Sequence, residues 1–84
     1  MSRNDKMIFK KFARLYKTQE KFTDAMMTHP DINMMQRKNP KMARLTLEAY
    51  WKYYRDLSSV ERGSRKVEDF VHGYVSKNIY ENLT

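Results

Sequence analysis

Apolar residues in the first third of the chain recur every three or four positions, which is the period of an α-helix and not of a strand. They occupy positions 8, 12, 15, 22 and 26, with Gln19 at the missing step. Asn4 is a suitable N-cap, and Asp5 is well placed in the first turn. The pattern predicts a helix from about Asp5 to Met27, or two helices divided near Thr18, whose side chain can cap a new start.

Both prolines lie in the segment "THPDINMMQRKNPK", residues 28–41. The residue before a proline disfavours helical conformation, so the first helical segment ends here. A short helical turn is expected over residues 31–37. Asn39 followed by Pro40 is a strong start signal, because a capping side chain precedes a proline whose missing N–H is not needed at the first helical position. The next helix is predicted to extend to about Leu57.

The helix that follows Asn39 has an unusually broad apolar arc, covering more than half of its circumference at about 100° per residue. Its central face holds Ala43, Thr46, Leu47, Tyr50, Tyr54 and Leu57. A helix of this kind is either central in a bundle or also packs against another chain.

The last segment repeats the helical period up to Ile79, after a predicted turn or short helix around Gly63. Ser64 can cap this last helix. No internal repeat or linker divides the chain. The sequence therefore predicts a single domain over residues 1–84 and an all-α fold, a small helical bundle of three main helices plus one or two short helices.

Composition narrows the class of protein. A domain of 84 residues buries only about 60–65% of its unfolded surface, so the core is expected to be thin. The absence of cysteine excludes disulfides and thiolate chemistry. Apolar runs such as Met7-Ile8-Phe9 are far shorter than the roughly 20 residues that span a bilayer, and no secretory signal is recognisable. These features predict a soluble, intracellular, cytoplasmic protein.

The net charge of +7 is unevenly distributed. Residues 1–28 carry seven Lys or Arg and three Asp or Glu, and residues 29–44 carry four and one. The remaining forty residues carry six of each sign. All of the excess positive charge lies in the first half, which favours an anionic partner.

A basic row accompanies the apolar row of the first helix. If the helix is continuous, its members fall within a sector of about 60° and extend over about 24 Å, enough to follow several phosphates of a nucleic acid. The row consists of Lys6, Lys10, Arg14, Lys17 and Lys21. Solvation of an outer helix face is the simpler interpretation, but it leaves the scarcity of acids along this row unexplained.

A second basic cluster lies in and after the proline-bounded segment, at Arg37, Lys38, Lys41 and Arg44. A short helix, a tight turn and a longer helix form the outline of a helix-turn-helix DNA reader, in which the second helix enters the major groove. On that interpretation Lys41, Arg44 and Asn39 would meet DNA. The outline is common among small helical domains, and a purely structural turn is the leading interpretation.

Two other partners are compatible with the pattern. The flanks of the helix that follows Asn39 offer Met42, Leu45, Trp51 and Tyr53 as a contact surface for an acidic protein or for a second copy of the chain. The first helix could also lie on an anionic membrane. The membrane interpretation ranks third, because the apolar face of that helix is needed to close the core.

The sequence contains no motif typical of catalysis, metal binding or nucleotide binding. His29 and His72 lie far apart without metal-ligand spacing, adjacent Glu68 and Asp69 diverge on a helix, and no glycine-rich phosphate loop exists. No catalytic residue, metal ligand or cofactor is therefore expected, and the protein is not expected to be an enzyme.

The sequence predicts a non-enzymatic small basic binding protein, associated with nucleic acid through its basic N-terminal helix and proline turn. The alternative is a protein-binding regulator or adaptor that uses the apolar and aromatic face of the helix that follows Asn39. A chain rich in Met, Lys and Tyr and poor in Gly and Pro also suits a viral or plasmid-borne gene of an AT-rich genome.

Overall fold

A computed structural model describes residues 3–82, with side chains for residues 3–79. Within that range the chain forms α-helices and one π-helical turn, and no β-strand. The helices are α1 (Arg3–Leu15), α2 (Gln19–Met26), α3 (Pro30–Lys38), α4 (Pro40–Trp51), α5 (Ser59–Arg62) and α6 (Val67–Asn82), and the π-helical turn (Lys52–Asp56) continues α4. The predicted all-α bundle is confirmed, with α1, α4 and α6 as its main helices.

The first helical segment is divided, as in the second of the two predicted alternatives. Thr18 Oγ1 accepts a hydrogen bond from the N–H three residues later at 3.2 Å, which caps α2. In a continuous helix, the carbonyls of Arg14 and Tyr16 would accept from N–H groups four residues on. They accept instead from Arg55 Nη1 at 3.3 Å and from Trp51 Nε1 at 3.4 Å. Distant side chains thus stabilise the break.

One residue, Asn39, separates α3 from α4. Its N–H donates to a carbonyl of α3, and its Oδ1 accepts from the Met42 N–H at 3.1 Å. Pro40 is the first residue of α4, as predicted. At the start of α3, His29 Nδ1 accepts from the Asp31 N–H at 3.3 Å. The short helix is therefore one residue longer at each end than residues 31–37.

The end of α4 widens into a π-helical turn. The Leu57 N–H donates to the Lys52 carbonyl, five residues back, at 2.7 Å. Helical conformation thus reaches Asp56, one residue before the predicted end.

The start of α6 differs from the prediction. The helix begins at Val67, and its first backbone hydrogen bond runs from Phe70 N–H to the Lys66 carbonyl at 3.0 Å. Ser64 is therefore too early to cap it, and that prediction is wrong. The Tyr53 hydroxyl donates to the Arg65 carbonyl at 2.9 Å, which ties the residues before α6 to the π-helical turn.

Helix α4 lies at the centre of the molecule and contacts α1, α2, α3 and α6. This position accounts for its broad apolar arc, because a helix surrounded on several sides buries most of its circumference. Small side chains at Ala43 and Ala49 are fully buried and allow neighbouring helices to approach closely. The buried apolar residues are Phe9, Ala13, Phe22, Met26, Ile32, Ala43, Leu47, Ala49, Tyr50, Val71 and Val75.

Polar contacts join helices that are distant in sequence. Lys6 of α1 forms an ion pair with Glu68 of α6. The Tyr74 hydroxyl of α6 donates to Glu48 Oε1 of α4 at 2.6 Å. Among the described residues, no helix has both the length and the apolar character required to cross a bilayer.

Candidate nucleic-acid interface

The predicted basic row does not follow one helix. Its first three members lie on α1, the fourth in the turn after Leu15, and the fifth in the first turn of α2: Lys6, Lys10, Arg14, Lys17 and Lys21. The expectation of one straight cationic face of about 24 Å is therefore wrong. The helix ends early because Thr18 caps a new helix and because distant donors bind the carbonyls of Arg14 and Tyr16 around its end.

Lys6 is separated from the rest of the row. Its side chain is half-buried, and its ammonium group pairs with the Glu68 carboxylate. This ion pair is a link between α1 and α6, so Lys6 is a weaker candidate for a phosphate contact than the exposed members of the row. The other four members of the row are exposed: Lys10, Arg14, Lys17 and Lys21.

Arg55 joins this group through the tertiary structure. It is exposed, and its guanidinium donates to the Arg14 carbonyl at 3.3 Å. Sequence reasoning missed it, because 41 positions separate the two residues and no local pattern links them. We name the resulting set the first cation cluster, which consists of Lys10, Arg14, Lys17, Lys21 and Arg55.

The corner between α3 and α4 holds a second exposed group. Arg37 and Lys38 occupy the last turn of α3, and Lys41 lies in the first turn of α4. The partial positive charge of the α4 N-terminus adds to the charge of Lys41, whereas the partial negative charge of the α3 C-terminus attracts Arg37 and Lys38. We name Arg37, Lys38 and Lys41 the corner cluster.

Arg44 has more acidic neighbours than the corner cluster, of which Lys41 lines one groove with Glu48. It lines a groove of about 490 Å³ together with Glu20 and Asp24 of α2. A second groove places it beside Glu48 and Leu45 of α4. These carboxylates offset its charge, so Arg44 is a weaker candidate for a phosphate contact than the corner cluster. The acids of α2 also interrupt the basic surface between Arg44 and Lys21.

The α3–α4 pair does not have the geometry of a helix-turn-helix reader. A reader has a turn of about three or four residues, whereas Asn39 alone separates these helices. Asn39 Oδ1 is already used as the cap of α4. A recognition helix must also project from the domain, but α4 is packed against four other helices. This arrangement argues against direct base reading by α4.

The four residues predicted as a protein interface, Met42, Leu45, Trp51 and Tyr53, are all half-buried. Met42 lines a groove against α6, and Leu45 lines one beside Met27 and Pro40. The Trp51 indole N–H donates to the Tyr16 carbonyl. Tyr53 donates to a backbone carbonyl, and its ring lies 5.0 Å from the Arg62 guanidinium carbon. The two aromatic residues therefore have internal partners.

Three side chains of the kinds that ligate metal ions lie together where α1 approaches the start of α3. They are Asp5, His29 and Asp31, and one potential ligand atom of each lies within 4.8 Å of the other two. His29 Nδ1 accepts from the Asp31 N–H, so its Nε2–H donates to Asp5 Oδ1 at 3.0 Å. Both ring nitrogens are used in these contacts. The cluster is a link between α1 and α3, and sequence spacing had no means of locating it.

Comparisons of the chain with protein-family models, with curated proteins and with solved structures find no match. Function is therefore argued from the surface alone.

Proposed function

We propose that this protein is a non-enzymatic binder of nucleic-acid backbone, with the first cation cluster as the main contact surface and the corner cluster as a second one. The observation that carries the proposal is the exposure of eight of the nine cations that the sequence singles out. Among the side chains of residues 3–79, no ion pair joins any of these eight to an acid.

Long exposed cations bind phosphates and release condensed counterions, so affinity falls as salt rises. Five engaged residues, the number in the first cation cluster, correspond to a log–log slope of about −4.5 on duplex DNA. Base reading is a small part of the proposal, because α4 is packed inside the bundle. We expect modest or no sequence preference.

The test is fluorescence anisotropy of labelled duplex and single-stranded DNA at two salt concentrations. Wild-type protein is expected to bind at micromolar concentration or tighter and to weaken steeply with salt. The variant Lys10→Glu/Arg14→Glu/Lys17→Glu should lose this binding.

The matched control is Arg65→Glu/Lys66→Glu/Lys77→Glu, which reverses three exposed cations in the second half of the chain and changes net charge by the same amount. It should retain most of the affinity. A salt slope near zero, or equal losses in the two variants, would contradict the proposal.

Two further interpretations remain predictions of the sequence. One is an acidic protein partner, or a second copy, bound through Met42, Leu45, Trp51 and Tyr53. The other is a cytoplasmic location.

A further inference from the structure

Helix α1 has apolar residues on two faces. Phe9 and Ala13 are fully buried in the core. Met7 and Leu15 are 65% and 62% exposed, and at about 100° per residue they point about 160° and 120° away from Phe9. The core therefore does not use the whole apolar surface of the helix, which removes the objection raised above to a membrane contact.

Met7 borders a shallow depression on the outside of α1. This depression, about 530 Å³ in volume, is lined by Asn4, Met7, Ile8 and Lys11. Leu15 lies two turns from Met7 on the same outward side. We name Met7, Ile8, Lys11 and Leu15 the outer face of α1.

The charges around the outer face have one sign. The exposed charged residues of α1 are Arg3, Lys10, Lys11 and Arg14. The one acid of α1, Asp5, is half-buried and lies against His29. A second copy docked on this face would bring like charges together, whereas an anionic surface would complement them.

We propose that the outer face of α1 docks on the surface of an anionic lipid bilayer. Helices of this type lie in the plane of the interface, with apolar side chains at the boundary between headgroups and acyl chains. Met7 and Leu15 supply that contact here, and the neighbouring lysines extend their stems along it and place their ammonium groups at the lipid phosphates. A nucleic-acid backbone offers no apolar layer to match these residues. The inference does not depend on the proposed nucleic-acid function.

The probe is co-sedimentation with vesicles of phosphatidylcholine alone or with about 30% phosphatidylserine. We expect wild-type protein to bind the anionic vesicles and not the neutral ones. Met7→Ser/Leu15→Ser should weaken this binding by about tenfold or more, because the apolar contribution is lost. The matched control is Met34→Ser/Val60→Ser, which removes apolar side chains that are 59% and 88% exposed outside α1. It should bind like wild type.

Failure of wild-type protein to bind the anionic vesicles, or equal binding by Met7→Ser/Leu15→Ser, would overturn the proposal. A dimer in analytical ultracentrifugation that this variant abolishes, without vesicle binding, would assign the face to a second copy. If Met7→Ser/Leu15→Ser loses its helical circular dichroism, Lys11→Glu replaces it as the test variant. We expect Lys11→Glu to show the same loss of binding to anionic vesicles. DNA anisotropy of Met7→Ser/Leu15→Ser should be unchanged, which separates this inference from the nucleic-acid proposal.

Discussion

At the scale of single residues, folding raises the pKa of three tyrosines of α4, the π-helical turn and α6. Burial raises the pKa of Tyr74, and the hydrogen bond to Glu48 and the charge of that carboxylate raise it further. Burial, followed by the neighbouring Tyr54, raises the pKa of Tyr50 to about 12. The pKa of Tyr54 is also raised, first by burial and then by Tyr53. In each case the folded state favours the neutral phenol.

These pKa shifts predict a loss of stability at alkaline pH. A group whose pKa is raised on folding contributes its full stabilisation below the unfolded pKa, which is 10.0 for tyrosine. The contribution falls as pH rises from there through the folded pKa. The free energy of unfolding, measured by urea denaturation, should therefore decrease between about pH 10 and pH 12.

Tyr74→Phe should flatten part of this decrease, and Tyr16→Phe serves as the matched control on another half-buried tyrosine. Tyrosinate absorbance followed through the same pH range reports the ionisation directly. A free energy of unfolding that stays constant from about pH 10 to pH 12 would show that the shifts do not contribute to stability.

At the scale of elements, local signals located most helix boundaries. Thr18, Asn39 and Pro40 each act where the sequence places them, because an N-cap bonds to an N–H only a few residues away. The π-helical turn and the start of α6 were not predictable in this way. They coincide with the Tyr53 contact to Arg65, which joins two segments across a loop.

The two glycines differ in backbone conformation, although both have free space around them for a Cβ. Replacement by alanine is therefore expected to change stability in opposite directions at the two positions. Gly63 has φ +66° and ψ −151° at the end of α5, a region that residues with a Cβ rarely adopt. Gly73 is exposed within α6, and a Cβ at either position would meet no atom within 4 Å. Gly63→Ala should lower the free energy of unfolding by about 1–3 kcal/mol. Gly73→Ala should raise it by about 0.5–1 kcal/mol.

Urea denaturation followed by circular dichroism measures both glycine variants, and each is the other's control. Similar effects of the two substitutions would contradict this account.

At the scale of the whole molecule, the arrangement of charge matters more than its total. The first cation cluster collects residues from α1, the following turn, α2 and the π-helical turn. Glu20 and Asp24 line the groove that leads from α2 to Arg44. A phosphate backbone that crosses α2 toward α4 would meet these two carboxylates, so the positive surface is divided.

Removing this acidic divide should strengthen nucleic-acid binding. Glu20→Gln/Asp24→Asn is expected to raise affinity for duplex DNA by about three- to tenfold at low salt, with less effect at high salt because exposed charges are screened. Anisotropy titration measures the change. Glu61→Gln/Asp69→Asn makes the same change in net charge at exposed positions in the second half. An equal gain in both variants would mean that net charge, not the divide, controls affinity.

The sequence by itself determined the helical segments, the caps at Thr18 and Asn39 and the start of α4 at Pro40, and it offered a central position for α4 as one of two alternatives. Helical period, N-caps and proline starts act between residues a few positions apart, so they can be read without knowledge of the fold. The same locality explains why the cations of Lys10, Arg14 and Lys17 could be singled out in advance.

Only the tertiary structure decided which of these side chains remain available. Lys6 is paired because α6 brings Glu68 to it, and Arg55 joins the cations because α4 passes the end of α1. The exposure of Met7 and Leu15 depends on which side of α1 the rest of the bundle covers. Burial and pairing are set by neighbours that are distant in sequence, and no local pattern specifies where those neighbours lie.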